Sequence, residues 1–382
     1  VNTPVYLDHN ATTPIAPSVL EAMLPFLRGQ HGNASSRHEL GTVARRAVER
    51  AREQVAVAVG AQPSQVVFTS GGTEANNLFI KGAAAVLRPQ QLVVGAIDHP
   101  CVAMPAKDLR RTGWTLRRLA VDADGVADLA DLDAALQVPT GIVSMMLANN
   151  ETGVLQPVAA IAARARAARA WLHSDAVQAL GKVPVDFEAL GVHALTVSAH
   201  KLRGPKGAGA LVLDKRIELR PLLHGGGHEA GMRSGTENVP AIVGFGAACE
   251  LAVADLVAFD AHCRALRDDL DVRLEAAGAT VFGARAPRIP NTTCFAFDGI
   301  DGETLVIELD RLGFCVASGS ACSSHSTEPS ATLLAMGVSP ELARGAVRVS
   351  FGLDNDARQA GDFAAAVVAT AGRLRRLTAM AV

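Results

Sequence analysis

The sequence predicts an α/β protein, with a mainly parallel sheet covered by helices and a smaller α/β domain at its C-terminal end. Three observations carry this. From about residue 66, short apolar runs alternate with helical stretches, and strands separated by helices of about 10 to 15 residues build parallel sheets covered on both faces. After about residue 245 the pattern changes to one long helix followed by fewer strands. The chain has 382 residues, 49% hydrophobic and 19% charged, which is enough for a large core and long for a single domain.

Residues 1–15 lack clear periodicity and are read as an N-terminal arm that packs back on the small domain. The large domain, 16–245, takes strands from the apolar runs at 66–69, 92–95, 142–145, 171–173, 195–197 and 210–213. Ala-rich stretches such as 159–170 supply helices between them. The small domain, 246–382, is entered through a helix expected over 245–276, followed by a strand at 292–297, a helix near 303–312 and a strand around 347–351. The most apolar long stretch, 241–259, is interrupted by Glu250 and Asp255, so a buried or interface helix is expected rather than a membrane span.

Composition narrows the partners. There are 36 Lys plus Arg against 38 Asp plus Glu, a net charge of -2, so neither nucleic acid nor an anionic membrane is expected to bind. The six cysteines contain no C-x-x-C pair, which argues against a disulfide framework or structural zinc, and no metal is expected. Residues 1–4, Val-Asn-Thr-Pro, show neither a basic nor an apolar leader pattern, and a reducing cytoplasm is the expected setting.

Three polar clusters follow predicted strands, where α/β sheets place their sites. Phe68-Thr69-Ser70-Gly71-Gly72-Thr73-Glu74 runs through two glycines into a helix, leaving free N–H groups suited to a phosphate. It is neither a dinucleotide fingerprint nor a P-loop, and a plain strand-to-helix turn is its alternative. Ser198-Ala199-His200-Lys201 ends a strand before a Gly/Pro loop, and a partly desolvated amine there can form a Schiff base with an aldehyde; an exposed loop lysine is the alternative. Asp175 lies just past a strand with Gln178 three residues on, either a helix cap or a carboxylate for a pyridinium proton. Phosphate cup, amine and carboxylate together are the fixtures that pyridoxal phosphate requires.

The chain resembles the pyridoxal-phosphate cysteine desulfurases of the iron–sulfur-assembly and nitrogen-fixation type, within the class V aminotransferase, fold-type I enzymes. The resemblance runs nearly end to end. It rests on Tyr6-Leu7-Asp8-His9-Asn10-Ala11-Thr12-Thr13-Pro14, Gly71-Gly72-Thr73-Glu74, Asn149-Asn150-Glu151-Thr152-Gly153, the lysine segment, Gly231-Met232-Arg233-Ser234-Gly235-Thr236-Glu237-Asn238 and Ser318-Gly319-Ser320-Ala321-Cys322. It implies that Lys201 holds the cofactor covalently, Asp175 its pyridine nitrogen and Gln178 its phenolic oxygen, while His99 stacks on the ring and moves protons. Gly72, Thr73, Ser198 and His200 would bind the phosphate, and Thr236 would reach a phosphate across a homodimer interface. Asn150 and Arg348 would position L-cysteine, with Asn33 assisting.

The same resemblance implies that Cys322 attacks the substrate sulfur and passes its persulfide to an iron–sulfur scaffold or another acceptor protein. The small polar residues around Cys322 suit a loop able to move, with His325 a candidate base. The other five cysteines are expected to be inert and buried. Selenocysteine lyase, or another aminotransferase-type enzyme on the same fold, is the alternative activity. Three positions depart from the family pattern: Ala34 where Pro is usual, Ala199 where Gly is usual and Ala230 where Arg is usual.

Overall fold

The computed structural model describes residues 4–319 and 328–380. β1 (Val5–Tyr6) lies at the N-terminal end. β2 (Val66–Thr69), β3 (Gln91–Gly95), β4 (Thr115–Leu119), β5 (Thr140–Ser144), β6 (Trp171–Asp175), β7 (Ala194–Ser198) and β8 (Gly209–Leu213) form a seven-stranded sheet in the order β2-β8-β7-β6-β5-β3-β4. The pairs from β7 through β6, β5 and β3 to β4 are parallel. β8 runs antiparallel to both β7 and β2. Its direction follows from the connection: β7 ends at Ser198 and β8 begins at Gly209, too short a link for a covering crossover helix.

β5, β7 and β8 are buried along their whole length, as expected of strands covered on both faces. β4 has no counterpart in the sequence reading. Its run, Thr-Leu-Arg-Arg-Leu, is mostly exposed at the sheet edge, where charged residues discourage further pairing and hide the apolar signal.

The long helix begins at Val239, six residues before the expected start at 245, and ends at Ala276. Asn238 accepts the Ala241 N–H at 3.3 Å and Pro240 occupies the first turn, a start signal ahead of the apolar run. Among the described residues this is the one helix long and apolar enough to cross a membrane. It packs against the helices Glu39–Ala58 and Pro17–Arg28, with Phe245 and Cys249 fully buried.

A second, antiparallel sheet combines β9 (Thr280–Val281), β10 (Thr292–Ala296), β12 (Ala317–Ser318) and β13 (Val347–Ser350), while β11 (Phe314–Cys315) pairs in parallel with β1. Leu7 sits in the core of this part with Phe295, Phe351 and Phe363, each burial worth roughly 1.5–3 kcal/mol. Asp8 bridges to Ser350. The first residues are thereby tied to β13 and β11.

One core group makes an acid-sensitivity prediction. His173 is fully buried, stacks on Phe79 at 4.9 Å and holds Ser144 Oγ and Thr196 Oγ1 at 2.9 and 3.0 Å. Burial pushes its pKa down from 6.5 to about 3. The unfolded chain then binds more protons than the folded one between these values, so this contribution to stability is complete above pH 6.5 and is lost as pH falls toward 3. Asp98, raised from 3.8 to about 8 by burial, acts in the opposite direction over an overlapping pH range, so total stability does not isolate the imidazole. NMR titration does: the His173 ring is expected to stay neutral down to about pH 4.5 and to protonate only with unfolding.

Candidate active site

The C-terminal ends of β2, β6 and β7 open into one cavity of about 340 Å³. After β2, Gly71 (φ +153°) turns the chain into the helix Gly72–Ala84. A Cβ on Gly72 would come within 2.9 Å of Val177 Cγ2, so glycine keeps this helix start close to the turn after β6. The first N–H groups of the helix, beside Thr73, border the cavity, and they have no intrahelical acceptors. Arg233 pairs with Glu74 at 2.8 Å, tying the loop before the long helix to this turn.

Asp175, the last residue of β6, is buried. Its Oδ1 accepts the Val177 N–H at 2.9 Å in a turn, with no helix following for it to cap, and its Oδ2 accepts Asn76 Nδ2 at 2.6 Å. Asn76 Nδ2 also lies 3.0 Å from Cys101 Sγ. His99 caps the helix Pro100–Asp108, its Nδ1 accepting the Cys101 N–H at 3.2 Å and lying 2.8 Å from Cys101 Sγ. Burial lowers the His99 pKa, opposed by Asp175 and helped by Lys201. With Nδ1 an acceptor, a neutral ring carries its proton on Nε2.

Ser198 ends β7, and the turn Ala199–Lys201 follows. His200 Nδ1 lies 3.2 Å from Thr12 Oγ1, and burial with three nearby lysines lowers its pKa to about 4. Lys201 Nζ donates to the carbonyls of Asn10 and Ala11, the latter at 2.8 Å. Gln178 lines the same cavity and donates to the Asn10 carbonyl at 2.9 Å.

Arg348 reaches the cavity from β13 and is buried. Its Nη2 is 2.6 Å from Asp8 Oδ1 and its Nη1 donates to the Asn150 carbonyl at 3.0 Å. Sequence reading has Arg348 position the substrate; in the structure one N–H of each Nη already has these partners, and Nε is buried without one.

Of the residues singled out in the sequence, Gly72, Thr73, His99, Asn150, Asp175, Gln178, Ser198, His200, Lys201 and Arg348 thus line one cavity. Asn33 and Thr236 do not. Both are exposed, and Asn33 Oδ1 caps the Ser35 N–H at 2.8 Å. Cys322 and His325 lie outside the described residues. Among the described residues no cluster of metal-ligating side chains is present.

Sequence reading missed Asn10, Asn76 and Cys101 as cavity residues. Asn76 stands four positions after Gly72 on one helix face, a spacing that could have pointed to it. Of the five cysteines expected to be buried, Cys249, Cys263 and Cys294 are, whereas Cys101 and Cys315 are only partly buried. The departures are accommodated differently: Ala199 is fully buried against Gly204, whereas Ala230 adopts φ +54°, a left-handed conformation costing about 1 kcal/mol or more outside glycine.

The donor set fits pyridoxal phosphate: an amine, a carboxylate, a neutral imidazole and a helix N-terminus surround one space. Asn76 Oδ1 and Arg348 Nε, on cavity residues, are buried without a hydrogen-bond partner among the described residues. The profile of the family described as Aminotransferase class-V matches residues 5–363. The chain belongs to this family. It is 42% identical over 353 residues to "Cysteine desulfurase IscS" of Dictyoglomus turgidum, covering 91% of this chain and 90% of that relative. A solved "NIFS-LIKE PROTEIN" superimposes with a TM-score of 0.91 at 36% identity, covering 97% of this chain and all of that one. A second structure, "SspA in complex with cysteine", gives a TM-score of 0.81 at 32% identity, covering 91% and 98% of the two chains. The fold is therefore that of the fold-type I members of the family.

Proposed function

We propose that this chain is a pyridoxal-phosphate cysteine desulfurase, converting L-cysteine to L-alanine and holding the sulfur as a persulfide on Cys322. The observation that carries the reading is the meeting of Lys201, Asp175 and the N-terminus of the helix Gly72–Ala84 around one cavity, in a chain similar over nine-tenths of its length to named cysteine desulfurases.

When bound, pyridoxal phosphate supplies a covalent attachment for the substrate amine and an electron sink for the Cα carbanion. The remaining work falls to side chains. The N–H groups at Gly72 and Thr73, with Ser198 and His200, would hold the phosphate; a His200 pKa of about 4 makes its ring a neutral hydrogen-bonding partner at working pH. Asp175 would hold the proton of the pyridine nitrogen and Gln178 would donate to the phenolic oxygen, while His99 would keep its Nε2 proton available beside the ring. Lys201 Nζ removes the substrate Cα proton, while Asn150 and Arg348 orient the substrate carboxylate.

Cys322 attacks as the thiolate. Its sulfur forms an S–S bond with the substrate Sγ, the substrate Cβ–Sγ bond breaks, and that electron pair stays on carbon. Protonation of the carbon skeleton yields alanine. The persulfide passes to an iron–sulfur scaffold or another acceptor protein, or is reduced by an external thiol to sulfide. Thr236, exposed and away from this cavity, serves the cofactor phosphate of a partner protomer, which makes the enzyme a homodimer.

The test is to incubate the purified, cofactor-loaded protein with cysteine and a thiol reductant. Equimolar alanine and sulfide are expected. A protein that takes up the cofactor and forms neither product would overturn the activity while leaving the cofactor reading intact.

A further inference from the structure

Lys182 is a buried amine that the reaction above does not use. It is 3% exposed and lies four residues beyond Gln178, in the turn that follows β6. Its Nζ donates to Gln178 Oε1 and to Asn10 Oδ1, both at 2.8 Å. Both acceptors are amide oxygens, and an ammonium has no lone pair with which to accept, so with Lys182 protonated reversing either amide would set N–H against N–H.

The consequences run through both amides. With Oε1 held by Lys182, Gln178 must turn Nε2 the other way, where one N–H reaches the Asn10 carbonyl at 2.9 Å and the second is left for the cavity that Gln178 lines. With Oδ1 held, Asn10 turns Nδ2 to Thr292 Oγ1 at 2.8 Å and the Asn150 carbonyl at 3.4 Å. Its carbonyl accepts from Lys201. One amine thus fixes a segment that touches Gln178, Lys201 and Asn150 together, and a buried network of this kind specifies one arrangement only when every member is satisfied.

We infer that Lys182 is a positioning residue that locks the Gln178 amide with its N–H toward the phenolic oxygen of the cofactor. This rests on the pyridoxal-phosphate reading above. Removing Lys182 frees the amide to reverse and present an oxygen, which opposes ionisation of the phenol.

The experiment is a double-mutant cycle of Lys182→Met and Gln178→Met on purified protein, reading cofactor affinity by titration of the apo-protein and the absorption spectrum of the loaded protein. Each single variant is expected to weaken cofactor binding about tenfold, the loss of one hydrogen bond of ordinary net strength. Each is also expected to move absorption from the yellow band of the ionised phenol to the shorter-wavelength band of its neutral form. If Lys182 acts through Gln178, the double variant matches Gln178→Met alone. Full additivity would mean that Lys182 acts by its own charge or by packing, and would overturn the assignment, as would an unchanged spectrum in Lys182→Met. Should Lys182→Met not accumulate as folded protein, Lys182→Gln, which keeps an N–H donor, is expected to retain the yellow band and near-wild-type cofactor affinity, and loss of both would overturn the assignment. Wild-type protein that takes up no cofactor would instead overturn the functional reading and this proposal with it.

Discussion

Lys201→Ala is expected to leave a folded protein that has lost its covalently held cofactor and at least about 10³-fold of its turnover with cysteine. The fold should survive because the turn at 199–201 is held by its backbone: Leu202 and Gly204 donate N–H to the Ala199 carbonyl at 3.0 Å, and Thr13 donates to the His200 carbonyl at 2.9 Å. In the proposed mechanism the side chain would contribute twice: its amine would attach the cofactor and, after release, would take the Cα proton, a role worth roughly 10²–10⁴-fold by itself. Gel filtration should strip the yellow colour from the variant but not from wild type, and borohydride reduction should fix the cofactor mass on Lys201 only in wild type. Partial recovery of turnover with a small added amine would show that the loss is of a base rather than of structure. A variant turning over at the wild-type rate would remove Lys201 from the mechanism.

How much of this site the sequence disclosed depends on how local each feature is. Asp175 and Lys201 were legible because each sits where an apolar strand gives way to polar residues, and in a sheet with parallel central strands those exits share one edge. The helix start at Gly72 was legible for the same reason. β4 was not, because an edge strand with Arg117 and Arg118 presents no continuous apolar run. The early start of the long helix was hidden because its first residues follow a loop, although Asn238 and Pro240 mark it.

Least legible were contacts made by distant segments. Asn10 meets Thr292 across 282 positions and Lys182 across 172, so no window of sequence contains the network. The partners of Arg348, Asp8 and the Asn150 carbonyl, likewise come from separate parts of the chain. Burial of Lys182 is the extreme case, since lysine is mostly exposed and only the assembled amide oxygens reveal what receives it.

Cys322→Ala is expected to abolish formation of both alanine and sulfide from cysteine while leaving cofactor binding unchanged. The competing nucleophile is Cys101, which lines the cavity and lies 2.8 Å from His99 Nδ1. Its chemistry argues against it. Burial, then the Asp175 charge, push the Cys101 thiol up to about 12, so at pH 7 only about one molecule in 10⁵ holds it as thiolate. Cys263, also at about 12, is no better, and burial raises the other three described thiols as well. A nucleophile so rarely ionised starts roughly 7 kcal/mol behind one with a pKa near working pH. Cys101→Ala should therefore retain most of the turnover, and mass spectrometry of wild type quenched during turnover should place the extra sulfur on the peptide containing Cys322. Sulfur found on Cys101, or alanine formed at an undiminished rate by Cys322→Ala, would reverse the two roles and make the partly buried thiol beside His99 the acceptor.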